Sequence, residues 1–221
     1  MKYSVVLFDL DGTLINTNEL ILTSFLYTLE KHCPGKYTKE DIIARMGQPL
    51  VEQMRFFDER QAEEMVKTYQ VHNESHHDEL VKEFPYVREV LADLHQAGIK
   101  MGVVTNKRRK MAEMGLKRFG LDQWMQVVVC VEDTKQAKPA PDMIHLALEK
   151  LAAPKESALM VGDSRFDLLA AERAGIDSAA VGWSLHLEEL EAYHPTYVLH
   201  DMRDLLNMMG ISKVKQGAKF E

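Results

Sequence analysis

The sequence predicts an α/β protein: a Rossmann-like core of parallel strands with helices on both faces, and an inserted all-helical cap domain. Three observations lead there. Short apolar runs alternate with amphipathic helical stretches, the pattern of βαβ units. One long interval, residues 17–82, carries helical patterns and no strand signal. Acids, a hydroxyl and a lysine stand at or near the ends of the apolar runs. An open parallel sheet gathers such strand ends into one crevice.

The first strand is expected over residues 4–8, around Val5-Val6-Leu7-Phe8. It ends in Asp9-Leu10-Asp11-Gly12-Thr13. Two carboxylates this close repel each other and are costly to bury. They are therefore expected to hold a metal or do chemistry, although an acidic turn alone would also fit the pair. Gly12 allows a sharp turn, and Thr13 can donate a hydrogen bond within it.

The helical interval follows. Leu22, Phe25, Leu26 and Leu29 share one helix face, and the helix stops near Pro34-Gly35. Thr38 and Asp41 have the spacing of a capping box. A further helix is expected from about residue 61 to 81. On it His72 and His76 share a face, with His77-Asp78 behind them. A surface helix near the hinge is the plainer reading of that cluster than a metal site. The tethers are expected at Asn16-Thr17 and residues 82–85. This divides the chain into a core of residues 1–16 and 83–221 and a cap of residues 17–82.

Beyond the cap, a helix at 87–96 is closed by Gly98. A strand at 100–105 ends in Thr105-Asn106 and runs into Lys107-Arg108-Arg109-Lys110. Lys107 and Arg108 either meet a second anionic group or belong to a solvated face. A strand at 126–131 places Cys130 in the core. Lys138 precedes a proline-stiffened helix start, Pro139-Ala140-Pro141-Asp142. A strand at 158–162 ends in Asp163-Ser164-Arg165-Phe166-Asp167, and the helix at 165–174 is closed by Gly175. Strands at 178–181 and 197–199 complete the sheet. The tail, residues 211–221, carries Lys213, Lys215 and Lys219 and is expected to fray.

The chain has 221 residues, 46% of them hydrophobic and 28% charged, an ordinary globular balance. Its net charge of −7 argues against a nucleic-acid or membrane partner, but not against a small anionic substrate in a locally cationic cleft. Two cysteines, Cys33 and Cys130, fit a reduced cytoplasmic protein better than a disulfide scaffold. No secretory signal or membrane span is expected from the apolar runs.

The four strand-end motifs, in this order, resemble the haloacid dehalogenase-type (HAD) phosphohydrolase superfamily over roughly residues 4–206. The resemblance implies magnesium and an aspartyl-phosphate mechanism. Asp9 matches the nucleophile and Asp11 the general acid/base. Thr105 and Lys138 match the phosphate-binding pair, with Asn106 and Lys107 beside them. Asp9, Asp163 and the backbone carbonyl of Asp11 match the metal ligands. Asp167 matches a supporting acid that orients Lys138 or a metal-bound water. In the cap, Arg45-Met46-Gly47-Gln48-Pro49-Leu50 resembles the substrate-specificity loop, which makes Arg45, Gly47 and Gln48 candidate substrate contacts. Arg45 also fits a plain helix C-terminal cation.

Residues 14–20, 34–38, 76–84 and 114–117 are similar to the inorganic pyrophosphatases of Gram-positive bacteria within this superfamily. That implies hydrolysis of pyrophosphate to phosphate. These segments mark a lineage, and none of their residues physically demands pyrophosphate. Thr105-Asn106-Lys107 also fits a phosphoglycolate phosphatase or another small phosphomonoester phosphatase, and a phosphosugar mutase shares the same core. A non-catalytic binding module would be expected to have lost Asp9, Asp11 or Lys138. Oligomeric state is not legible.

Overall fold

A computed structural model describes residues 2–211. The predicted frayed tail therefore lies, except for Ile211, outside the described residues. Ile211 itself packs against the core.

Six parallel strands form one sheet. They are β1 (Val5–Phe8), β4 (Lys100–Val104), β5 (Val127–Val129), β6 (Ala158–Gly162), β7 (Asp177–Val181) and β8 (Tyr197–Leu199), in the order β5-β4-β1-β6-β7-β8. Several strands are shorter than expected. Gln126 and Val131 fall outside β5, and Thr105 lies just past β4. β1 is central and fully buried, and the side chains of so short a strand alternate between two cores. Val6 and Phe8 join a cluster with Leu91, Leu94 and Leu116. These come from α5 (Val87–Gln96) and α6 (Arg109–Arg118). Val5 and Leu7 join the opposite cluster with Ile144, Ala147, Ala170 and Ala171. These come from α7 (Asp142–Lys150) and α8 (Arg165–Ala174). Helices thus cover both faces, as a parallel sheet requires.

Register places the chemistry. Phe8 pairs with Val103 on one side and with Val161 on the other. The residues just past these three strands, with Asp9, Thr105 and Asp163 among them, emerge at one edge. The order β4-β1-β6 with chain reversal around β1 puts that edge at a topological switch point.

Residues 18–80 form four helices: α1 (Asn18–His32), α2 (Lys39–Ile43), α3 (Leu50–Phe57) and α4 (Ala62–Leu80). They share an apolar cluster of their own that includes Phe25, Leu29, Ile42, Met54, Phe57 and Met65. The expected buried face of α1 is shifted by part of a turn. Leu26 is 44% exposed, while Ser24 and Thr28 are buried. Their small side chains let α4 approach, and the Ser24 hydroxyl meets His72 Nδ1 at 3.1 Å and Asn73 Nδ2 at 3.3 Å. Thr38 and Asp41 form the capping box that opens α2. The two tethers pair with each other as a short antiparallel ribbon, β2 (Ile15–Asn16) with β3 (Lys82–Glu83). Sequence periodicity had no purchase on strands of two residues.

The histidine cluster splits. His72 stacks between Tyr27 and His76, at 4.5 and 4.1 Å between ring centroids. His77, expected on the surface, is only 1% exposed, and its Nε2 lies beside Gly115 of α6. A Cβ on Gly115 would stand 3.0 Å from Ile15 Cδ1 and at an ordinary 3.7 Å from the imidazole, so the glycine makes room for Ile15.

Candidate active site

The chain leaves β1 at Asp9 and turns back at Gly12, which adopts φ +74°. A Cβ on Gly12 would stand 2.1 Å from the Asp163 carboxylate. Glycine is therefore required twice there, for the turn and for the close approach of the two strand ends. Thr13 reaches Asp163 Oδ1 at 3.4 Å, and the Ser184 hydroxyl donates to the Asp163 backbone carbonyl at 2.5 Å.

Lys138 is the buried hub. Its ammonium donates to Asp9 Oδ1 at 2.8 Å, to Asp167 Oδ1 at 2.5 Å and to the Val104 carbonyl at 2.8 Å, which satisfies all three N–H bonds. Asp167 is fully buried, and its other oxygen accepts from the Ser164 N–H at 3.0 Å and the Ser164 hydroxyl at 2.6 Å, closing the capping box of α8. One carboxylate thus starts a helix and anchors the lysine together. Lys107 donates to both oxygens of Asp11 at 2.8 Å.

Both partners of the Asp9–Lys138 pair shift upward, for opposite reasons. Burial raises Asp9 from 3.8 to about 6; Lys138 opposes this, and Asp167 adds to it. Burial alone would lower Lys138, but Asp167 and then Asp9 outweigh it and hold the ammonium charged. One cation serves two acids, so it is over-compensated while Asp9 is not. Asp163 is driven well above its usual range by burial first and by Asp9 second.

Among the described residues, Asp9, Asp163 and Asp167 each offer an oxygen, and these atoms lie within 4.8 Å of one another. Asp167 has both oxygens engaged by Lys138 and Ser164. Asp9 and Asp163 remain undercompensated, an all-oxygen anionic donor set that suits a hard divalent cation.

These residues form one wall of a cleft of about 560 Å³, which also takes in Thr105, Asn106, Lys107 and Arg108. The opposite wall comes from the helical insert, with Ile21, Phe25, Leu50 and Val66 and the amides of Gln53, Gln70 and Asn73. Gly47 and Gln48 reach the cleft. Arg45 does not: its guanidinium lies 3.6 Å from the centroid of the Phe56 ring, and Arg45 is not among the residues that line the space. Asn106 is occupied in holding backbone, donating to the carbonyls of Gly47 and Lys138 and accepting from the Lys138 N–H.

Sequence reading missed His186, which lines the cleft from the loop after β7. Its backbone N–H bonds to the Ser184 hydroxyl at 2.9 Å, and burial lowers its pKa. No spacing pattern marks a histidine on a loop. Tyr69 and Asn73 were also missed. Their spacing with Met65 marks one face of α4, and that signal was available.

The switch point of the α/β sheet thus gathers Asp9, Asp163, Asp167 and the buried Lys138 in one cluster. The chain belongs to the haloacid dehalogenase-like hydrolase family, whose model matches residues 6–181. It is 45% identical over 212 residues to the pyrophosphatase PpaX of Halalkalibacterium halodurans, covering 96% of this chain and 99% of that one. It is 44% identical over 213 residues to PpaX of Anoxybacillus flavithermus, with the same coverage of 96% and 99%. Among solved structures it resembles a haloacid dehalogenase-like family hydrolase of Streptococcus pneumoniae, with a TM-score of 0.84 and 25% identity over 94% of this chain and 99% of that one. Among the described residues no helix is long and apolar enough to cross a membrane.

Proposed function

We propose that this enzyme hydrolyses inorganic pyrophosphate to phosphate in the cytoplasm, with Mg²⁺ and through an aspartyl-phosphate on Asp9. The observation that carries the chemistry is the Asp9–Lys138 contact of 2.8 Å beside the undercompensated Asp163. The substrate rests on the likeness to the two PpaX enzymes. Asp9 and Asp163, with the Asp11 carbonyl, would hold the metal. When bound, it neutralises charge on the phosphoryl oxygens so that an anion can attack an anion.

An Asp9 oxygen forms the new bond to phosphorus while the bridging P–O bond breaks, and phosphate leaves. Lys138 keeps its charge and stabilises the transferring phosphoryl group, with the Thr105 hydroxyl orienting it. In the second step water attacks the phosphorus of the Asp9 acyl phosphate. Asp11 accepts the water's proton, and the Asp9 carboxylate is released. Lys107 and Gln48, which line the cleft, would meet the departing group. Residues 17–82 act as a cap that closes over the site and excludes water. The net charge of −7 argues against a nucleic-acid or membrane partner, and a small anionic substrate would be met by the local cations of the cleft.

The apolar patch of Ile21, Phe25, Leu50 and Val66 favours a second reading, a phosphate ester with an organic leaving group. A turnover panel with Mg²⁺ separates the two. Pyrophosphate is expected to lead. A phosphoglycolate or aryl-phosphate kcat/KM tenfold higher than that for pyrophosphate would overturn the substrate. Asp9→Asn is expected to abolish turnover on every member of the panel, and retained activity would overturn the nucleophile.

A further inference from the structure

Asn106 joins two parts of the molecule that sequence keeps far apart. Its Nδ2 donates to the Gly47 carbonyl at 2.9 Å, on the helical insert, and to the Lys138 carbonyl at 3.0 Å, on the core. Its Oδ1 accepts from the Lys138 N–H at 2.9 Å. The backbone of Lys138 is therefore clamped on both sides by the same amide that holds the insert.

Gly47 is built for this contact. It adopts φ +92°, and a Cβ there would stand 2.8 Å from the Phe166 ring and 3.0 Å from Ser164 Cβ. Its bare backbone lies directly against the start of α8, the helix that carries Asp167. The other side-chain ties between insert and core are weaker candidates for setting the closed position. Lys110–Glu74 and Arg118–Asp78 are exposed ion pairs, a class worth little in water.

We propose that Asn106 is a positioning residue that latches the cap, coupling the seat of the Gly47 loop to the seat of Lys138. With the cap down, the Asn106 amide is fixed by Gly47 and holds the Lys138 backbone where the ammonium meets Asp9. With the cap raised, Asn106 loses one of its fixed partners and Lys138 is less firmly placed. The consequence for turnover rests on the Asp9-centred reading above; the consequence for cap motion does not.

Two variants approach the latch from opposite sides. Asn106→Asp keeps the acceptor for the Lys138 N–H and removes both donations. Gly47→Ala blocks the close approach from the cap and leaves the Asn106 side chain intact. Hydrogen exchange of the full chain, with Mg²⁺ and orthovanadate, reports the hinge at residues 15–18 and 82–84. Each variant is expected to exchange faster there than wild type. Each is expected to lose ten- to hundredfold in kcat/KM for pyrophosphate, with most of the loss in kcat. The double variant is expected to be no worse than the poorer single one, because both cut the same link.

Wild-type exchange at the hinge in Asn106→Asp overturns the latch, and that result needs no second variant. Losses that multiply in the double variant also overturn it. Asp9→Asn serves as the control: hinge protection equal to wild type with turnover abolished supports the latch. Should Asp9→Asn stay active, the catalytic reading falls, and accelerated hinge exchange in Asn106→Asp would still support the coupling.

Discussion

On the core wall of the cleft, Lys138 answers Asp9 and Asp167, and Lys107 answers Asp11. On the cap wall, Ile21, Phe25, Leu50 and Val66 face the same space with the amides of Gln53, Gln70 and Asn73 among them. The core wall fixes charges in advance, at strand ends that the sheet holds rigid. The cap wall, on the function proposed above, would supply shape and exclude water; its helices have an apolar cluster of their own. Preorganised charge is expensive to disturb where the groups are buried together, as Lys138, Asp9 and Asp167 are. An apolar wall tolerates change in proportion to the volume removed.

The sharpest test of that contrast is Lys138→Ala. It leaves Asp9 and Asp167 buried without their cation, and breaking a buried pair this way costs about 3–5 kcal/mol. Turnover is expected to fall at least about a thousandfold, since more than 4 kcal/mol of transition-state stabilisation goes with the ammonium. Val66→Ala on the cap wall is the comparison, expected to cost about 1–3 kcal/mol of stability. Urea melts and pyrophosphate turnover measure both. Equal losses in the two variants would erase the distinction between the walls.

Met65→Ala tests whether the cap has a core of its own. Met65 is fully buried in the cluster of α1–α4. The change is expected to cost about 2–5 kcal/mol. Hydrogen-exchange protection should drop across residues 18–80 and stay at wild-type levels in β1, β4 and β6. Protection lost equally in the sheet would mean that the two parts unfold as one.

The third prediction concerns pH and metal together. Burial lifts Asp9 from 3.8 to about 6 and lifts Asp163 as well. The folded state therefore holds more protons than the unfolded state across that window. Without metal, this contribution to stability is present below the ordinary carboxylate value and is lost as pH rises through about 6. The Asp9 share is on the order of 2–3 kcal/mol. A divalent cation compensates the ionised carboxylates, so the rise in Tm on adding Mg²⁺ should grow from pH 5 to pH 7.5. A rise that is flat or shrinks over that range would place the metal away from these acids.

How much the sequence disclosed follows the same division. The acids and the lysine were legible because charged groups at the ends of buried strands are costly, and cost restricts where they appear. The short ribbon β2–β3 was not legible, since two residues carry no period. The pairing of Lys107 with Asp11 escaped too, because a run of four cations reads equally well as a solvated face. The shift in the buried face of α1 has a related cause. Ser24 and Thr28 are buried by close helix approach and not by their own hydrophobicity, while Leu26 is left 44% exposed. His77 is buried against α6, a helix far along the chain. Residues whose placement depends on a partner far along the chain leave no local mark.

Arg45 carries the smallest expected effect and the clearest correction to the resemblance. Its place in the loop beside Gly47 and Gln48 suggested a substrate contact, but its guanidinium stacks on Phe56, a residue that is 47% exposed. A cation on an exposed aromatic face is worth about 0.5–1 kcal/mol. Arg45→Ala should therefore lower stability by about that amount and leave kcat/KM for pyrophosphate within about twofold, below 0.5 kcal/mol. Gln48, which does line the cleft, is the matched control on the same loop, and Gln48→Ala is expected to raise KM. Were Arg45→Ala to raise KM as much as Gln48→Ala does, the loop would have to turn in the substrate complex. The guanidinium would then leave Phe56, and the cap wall would acquire a cation of the kind the core wall now supplies through Lys138 and Lys107.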